Sequence, residues 1–271
     1  MLDRTLILSL VRNKKIIIFD LDDTLTASKQ RMTERMATAL AVLSKSFYIA
    51  IISGCKWEQM QTQVLNPLVI TKANIDKLWF LPTSGSAMIT IDGTPTNNMQ
   101  TRYRYKNDLT LAEKVSAWYA FSYAKKRAIN EQGFPDNKIT WGEVTEDRGS
   151  QVTFSILGQN APLEEKILWN KQHGEKRYWL AEKMRAIIVT GLSVQVGGTT
   201  SIDVMRSNSG KANGVRQLAQ VIPCKIEDMF FVGDKLQLGG NDYPVKETGI
   251  SSFEVKNCDE TLELIRIINE T

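Results

Sequence analysis

KIIIFDLDDTL, residues 15–25, decides the fold. Ile16 to Phe19 form an unbroken β-branched and aromatic run that stops abruptly at Asp20. A short apolar run without polar alternation is the pattern of a strand buried on both faces of a parallel sheet. Three more runs share it: FYIAII (47–52) before Ser53-Gly54, KLWFL (77–81) before Pro82-Thr83-Ser84-Gly85, and MFFV (229–232) before Gly233-Asp234. Helical spacing lies between them. Thr33 is placed to cap a helix carrying Met36, Leu40 and Leu43; Ser209 to start one with Val215, Leu218, Ala219 and Ile222; Asp259 to cap one with Leu262, Ile265 and Ile268. Strand and helix alternate at both ends of the chain. That predicts an α/β fold, a doubly wound parallel sheet built from two separated segments.

The middle reads differently. Residues 107–132 are helical, with Trp118, Phe121 and Ala124 inward; VTFSIL (152–157) is a strand; 162–186 is a charged helix. Short strands follow at Ala186–Val189, Leu192–Val196 and Ser201–Met205. The prediction is a core of residues 1–98 and 205–271 with an inserted α+β cap of 99–204.

Composition narrows the function. The chain has 271 residues, 42% hydrophobic and 24% charged, ordinary values for a globular protein. Its 34 basic and 30 acidic residues give a net charge of +4, too small and too dispersed for a nucleic-acid partner. No stretch approaches the roughly 20 apolar residues of a membrane span. The apolar patch Leu6–Val11 is too short for a leader's core and reads as packing surface. Cys55, Cys224 and Cys258 are few and far apart, which suits reduced thiols in a cytoplasmic protein better than a disulfide or zinc framework. The one histidine, His173, lies in a polar run and reads as solvated surface, so acid–base chemistry here falls to carboxylates.

In an open parallel sheet, ligands bind beyond the carboxyl ends of the strands. The residues closing the apolar runs should therefore share one crevice: Asp20, Asp22, Thr24, Ser53, Asp234 and, shortly after, Asn241 and Asp242. Lys211 opens the helix before the fourth strand. Clustered carboxylates repel unless a cation sits among them, and an all-oxygen set favours Mg²⁺ over zinc or copper. A carboxylate nucleophile, a hard dication and a lysine together describe phosphoryl transfer.

These residues resemble the haloacid dehalogenase (HAD) superfamily. FDLDDTL (19–25) is similar to its first motif, Ser53 after Ile51-Ile52 to the second, Lys211 to the third, and GD…GND (233–242) to the fourth. FFVGDKLQLGGND (230–242), DLDDTLTASKQRMT (20–33) and VGGTTSIDV (196–204) resemble the branch holding eukaryotic-type phosphomannomutases and Cof-like phosphatases, with a C2-type cap. The resemblance implies Asp20 as nucleophile and Asp22 as general acid, then base. Asp20, Asp234 and the Asp22 carbonyl would ligate Mg²⁺, supported by Asn241 and Asp242. Ser53 and Lys211 would hold the phosphoryl oxygens, with Lys29, Gly54, Arg148, Ser201 and Asp203 on the substrate. Three departures stand out, while Arg148 stands where mutases keep an Arg: Asp23 replaces the usual Gly, Lys29 a mutase Arg, and Trp141 and Gln159 fall where mutases place phosphate-gripping Arg. Neither residue replaces that charge. The reading is thus a Mg²⁺-dependent phosphatase of small phosphorylated metabolites such as sugar phosphates, with phosphomannomutase as the alternative. A phospho-acceptor receiver is a third class, disfavoured by chain length and by Asp22. Relatives that pair through their caps leave a homodimer open.

Overall fold

The computed structural model describes residues 2–94, 97–133 and 140–270. Eleven strands run through them: β1 Ile16–Asp20, β2 Tyr48–Ile52, β3 Leu78–Leu81, β4 Ala87–Thr94, β5 Asn97–Lys106, β6 Thr145–Asp147, β7 Gln151–Ser155, β8 Leu192–Gly197, β9 Ser201–Arg206, β10 Met229–Gly233 and β11 Ser251–Glu254. The chain divides into two units, Met1–Lys106 with Ser209–Thr271, and Asn107–Asn208.

The first unit holds a seven-stranded sheet ordered β11-β10-β1-β2-β3-β4-β5. Strands β11 through β3 are mutually parallel; β4 and β5 append an antiparallel hairpin. All five residues of β1 and of β10 are buried, as expected for strands covered on both faces. Alternation sorts the side chains. Ile17, Phe19, Ile49 and Ile51 pack with the helices Arg4–Val11, Glu34–Leu43 and Cys258–Asn269; Ile16, Ile18, Ala50 and Ile52 pack on the other face with Val215 and Leu218 of the helix Lys211–Val221. This is the doubly wound architecture, and the strand order reverses at β1, between β2 and β10. Ile7 and Val11 are buried and Leu6 is exposed, so one face of the Leu6–Val11 patch is packing surface.

The second unit is a four-stranded antiparallel sheet, β6-β7-β9-β8, under the long helices Leu111–Gln132 and Leu163–Arg185. Val152, Phe154, Val194, Ile202 and Val204 line the apolar face of that sheet. The facing side of Leu111–Gln132 is largely alanine (Ala117, Ala120, Ala124, Ala128), which lets Phe121 stack on Phe154 with ring centroids 4.3 Å apart.

Several expectations need correction. The expected boundaries at 98/99 and 204/205 move to 106/107 and 208/209, because β5 pairs with β4 and so belongs to the first sheet. Ala186–Val189 forms turns rather than a strand. Ser209 does not cap Lys211–Val221; Gly210 occupies that place with φ 105°, and the buried Ser209 hydroxyl has no partner among the described residues. Asn257, not Asp259, caps the last helix by accepting from the Glu260 N–H. Trp118 is only partly buried, and His173 is half-buried beside Trp169 rather than fully solvated. The cysteines are free thiols. Among the described residues no helix is long and apolar enough to cross a membrane.

Candidate active site

Asp20 ends β1 at the reversal of the sheet order and is 4% exposed. The register sets Asp20 beside Ile52, so Ser53 leaves β2 one residue further on. Phe19 lies beside Val232, so Asp234 follows β10 on the other side. Three strand ends thus deliver an acid, a hydroxyl and a second acid to one rim, as the crevice rule requires.

Lys211 comes from a helix start, where the macrodipole disfavours a cation. Two carboxylates offset this. The Lys211 ammonium donates to Asp20 Oδ1 at 2.5 Å and to Asp242 Oδ1 at 2.6 Å, with the lysine and Asp20 side chains about 95% buried and that of Asp242 fully so. Glycines permit the approach. A Cβ on Gly214, one turn into the helix, would stand 3.0 Å from the Gly85 Cα in the loop after β3, so only backbone fits there. That loop is itself unusual: Thr83 (φ 49°) and Ser84 (φ 56°) are consecutive left-handed residues without being glycine. Their N–H groups donate to Cys55 and Ser53 carbonyls at 2.8 Å, tying the loop to the Ser53 turn. Backbone strain of this kind collects at functional sites.

The loop from Lys235 to Asp242 is pinned at its root. Asp242 N donates to the Lys235 carbonyl at 3.2 Å and Lys235 N to Asp242 Oδ2 at 3.3 Å. Asp234 Oδ2 forms an ion pair with the Lys235 ammonium, while Asp234 Oδ1 is buried with no hydrogen-bond partner among the described residues. Oxygens of Asp20, Asp234 and Asp242 lie within 4.8 Å of one another. Burial pushes the Asp20 carboxyl well above the ordinary range despite the pull of Lys211, with Asp242 pushing the same way. Burial also raises Asp234, against the pull of Lys235. Three carboxylates share two ammonium groups, and one buried oxygen is left unanswered. A hard dication with oxygen preference, Mg²⁺ above all, fits this donor set.

Asp22 lies just outside the trio. Its Oδ1 accepts from the Lys29 N–H at 2.9 Å, and its Oδ2 stands 3.5 Å from the Ser53 hydroxyl, which accepts from the Cys55 N–H at 3.2 Å. Lys29 is exposed, in a left-handed turn (φ 61°), and its backbone N–H is what holds Asp22 Oδ1. Gly54 packs near Ser84; an added Cβ would sit 3.5 Å from that hydroxyl. Asn241 is exposed, unlike its neighbour Asp242. Lys235 carries no role in the sequence reading, although it sits inside the quoted GDK run; only its ion pair marks it.

In the second unit, Arg148 donates to Glu146 through Nε at 3.0 Å and Nη2 at 2.7 Å. Asp203, on the polar face of the sheet, accepts from Thr153 at 2.7 Å, and burial raises its carboxyl against the pull of Arg148. Ser201, half-buried, pairs with Ser155 and Gly197 at the end of β9. Gln159 turns its amide toward the Val144 and Thr153 carbonyls at 3.5 Å, and Trp141 is 38% exposed. The unit's other arginines are engaged as well: Arg127 by Glu131, Arg177 by the Gly197 and Gly198 carbonyls and Asn170, Arg185 by the Val194 carbonyl, and Arg206 by Glu113.

A family profile described as haloacid dehalogenase-like hydrolase matches residues 17–262. A probable phosphomannomutase of Caenorhabditis elegans is 24% identical over 236 residues, 86% of either chain. A phosphomannomutase of Schizosaccharomyces pombe is 25% identical over 271 residues, covering 94% of this chain and 95% of the other. Among solved structures, IMP-bound, N-terminally truncated IMP-nucleotidase of Plasmodium falciparum superposes with TM-score 0.70 at 16% identity, over 99% of this chain and 71% of that one. The C-terminal domain of C. albicans trehalose-6-phosphate phosphatase gives 0.63 at 16% identity, over 99% and 97%. At these identities the structural matches speak for the fold alone.

Proposed function

The chain belongs to the haloacid dehalogenase-like hydrolases, and from that premise we propose a Mg²⁺-dependent phosphatase of small phosphorylated metabolites, sugar phosphates foremost. In this reading an Asp20 carboxylate oxygen attacks phosphorus, and the bond from phosphorus to the ester oxygen breaks. Asp22 gives its proton to the departing oxygen. The resulting aspartyl-phosphate is then attacked by water, whose proton returns to Asp22, releasing inorganic phosphate and restoring Asp20. Lys211 orients Asp20 and offers positive charge to the phosphoryl oxygens; Ser53 supplies a hydroxyl donor on the β2 side. Asp20, Asp234 and Asp242 would hold or buttress the dication, which when bound supplies charge neutralisation to the carboxylates and the transferring group.

One observation favours hydrolysis over isomerisation: all five arginines of the second unit, Arg127, Arg148, Arg177, Arg185 and Arg206, are hydrogen-bonded to partners inside that unit. A mutase must grip one phosphate while the other reacts, a task for bidentate guanidinium groups. Trp141 and Gln159 add no charge there. The named phosphomannomutase relatives favour the second reading, a phosphomannomutase primed by a bisphosphate. The test is incubation of the full chain with mannose 1-phosphate and Mg²⁺, with and without glucose 1,6-bisphosphate. Release of inorganic phosphate in both is the expected result. Mannose 6-phosphate formed only with the bisphosphate, without released phosphate, would establish the mutase. A broader panel of phosphate esters then ranks substrates. The reading places the enzyme in the cytoplasm, acting alone or as a homodimer; sedimentation decides the latter.

A further inference from the structure

Asp23 occupies a place where its backbone conformation favours glycine: φ is 62°. An aspartate tolerates that region better than most residues, yet at a conformational cost. The position is held by a hydrogen bond from Asp23 N to the Thr26 carbonyl at 2.8 Å, and by Ser28 N, which donates to Asp23 Oδ1 at 3.3 Å. The other carboxylate oxygen, Oδ2, stands 3.9 Å from the Lys235 ammonium. The same ammonium is ion-paired with Asp234 Oδ2, the acid whose second oxygen is buried without a partner among the described residues. Lys235 therefore stands between two carboxylates, one 53% exposed on the Asp23 turn and one 9% exposed in the acid trio. The lysine's main chain is fastened to Asp242 at both N–H and carbonyl, so its side chain is the part free to turn.

We propose that Asp23 is an alternative counter-ion for Lys235. A dication taken up by Asp234 repels an ammonium held on the same carboxylate. Asp23 receives that ammonium, and the metal gains Asp234 without stranding a lysine charge. Asp23 is thus a positioning residue that acts on metal affinity through Lys235, and it touches neither substrate nor phosphorus. The inference rests on the metal-holding reading of the acid trio and adds to it a partner outside the trio.

The experiment is a double-mutant cycle read by Mg²⁺ titration calorimetry on the full chain: wild type, Asp23→Asn, Lys235→Met and the double variant. Asn keeps the left-handed turn and the Ser28 contact while removing the charge, so folding is preserved; circular dichroism and melting temperature verify it. Asp23→Asn should weaken Mg²⁺ binding about three- to tenfold, the range of a half-exposed charge pair near 4 Å. In the Lys235→Met background the same change should have an effect near onefold. An equal weakening in both backgrounds would show that Asp23 acts by its own field and would overturn the proposal. So would unchanged affinity in the single variant. Absence of Mg²⁺ binding to the wild type, or Mg²⁺ binding that survives Asp234→Asn, would instead strike the metal-holding reading itself.

Discussion

Charged groups are treated oppositely in the two units. In the first, Asp20, Asp234 and Asp242 crowd within 4.8 Å, Asp20 is driven up by burial, and an Asp234 oxygen has no partner among the described residues. In the second, Arg148 and Arg206 are matched to acids of their own unit and Arg177 to its carbonyls through Nη1, with the Arg177 Nε lacking a partner among the described residues. Unanswered charge costs stability and is kept where chemistry uses it; answered charge holds a scaffold in shape. The contrast makes a simple forecast. Removing the charge of Asp20 or Lys211 in the first unit should abolish turnover, and charge-removing changes in the second should lower stability with little effect on hydrolysis of a small aryl phosphate.

The largest effect belongs to Asp20→Asn. Turnover of an aryl phosphate should fall by about 10⁴-fold or more, roughly 5.5 kcal/mol of transition-state stabilisation. The melting temperature should hold or rise, because a crowded negative charge is gone. An active Asp20→Asn protein, shown by a continuous aryl-phosphate assay, would break the nucleophile assignment and the contrast with it. Lys211→Met comes next. It strands Asp20 and Asp242 without their cation, and breaking a buried pair by removing one partner costs about 3–5 kcal/mol. Chemical denaturation would measure this, and added Mg²⁺ should restore part of the loss. In the second unit, Arg177→Met removes the guanidinium that holds the Gly197 and Gly198 carbonyls and Asn170 from a site 5% exposed. The expected loss is about 2–3 kcal/mol of stability, with aryl-phosphate turnover within about twofold of wild type. A large drop in kcat with unchanged stability would instead put Arg177 in the chemistry and dissolve the distinction.

How legible each unit was follows from the same difference. The first unit could be read because buried parallel strands leave continuous apolar runs that stop abruptly at polar or turn residues. Ile16–Phe19 stopping at Asp20 is the clearest case. Asp20, Asp234, Asp242 and Lys211 come together in space as their order along the chain suggested. The β4–β5 hairpin went unread: NNMQTRYRYK alternates polar residues at a sheet edge, which weakens the strand signal, and this displaced the boundary to residue 98. In the second unit the helices were visible in outline, but the buried side of Leu111–Gln132 is mostly alanine, so Trp118 looked like core when it is only partly buried. The partners of Arg148 and Arg177 are an acid, backbone carbonyls and the Asn170 amide, and no spacing rule announces them. Lys235 was hidden differently: a lysine after an aspartate reads as surface until the ion pair is seen.

The smallest effect tests whether charge in the second unit is structural alone. Glu113 is the third residue of Leu111–Gln132 and closes a capping box with Thr110, whose N–H it accepts at 2.7 Å. It also receives Arg206 at 3.0 Å through both carboxylate oxygens, joining the helix to β9. Hydrogen bonds from Arg206, then from the Thr110 backbone, hold its carboxyl at about 2 against an ordinary 4.5. The folded value is depressed, so the unfolded chain takes up the proton first as pH falls. The stabilisation is therefore complete above pH 4.5 and drains away as pH drops from there toward about 2. Both side chains are partly open to water, which limits the pair to about 1 kcal/mol. Glu113→Gln should be less stable than wild type at pH 7 by that amount in chemical denaturation, and the gap should stay constant to pH 5 and narrow by pH 3. Turnover of the aryl phosphate at pH 7 should not change. A gap that persists undiminished at pH 3 would mean that the capping geometry, which Gln retains in part, rather than the charge carries the contact. A gap accompanied by lost turnover would mean that charge in the second unit reaches the chemistry after all.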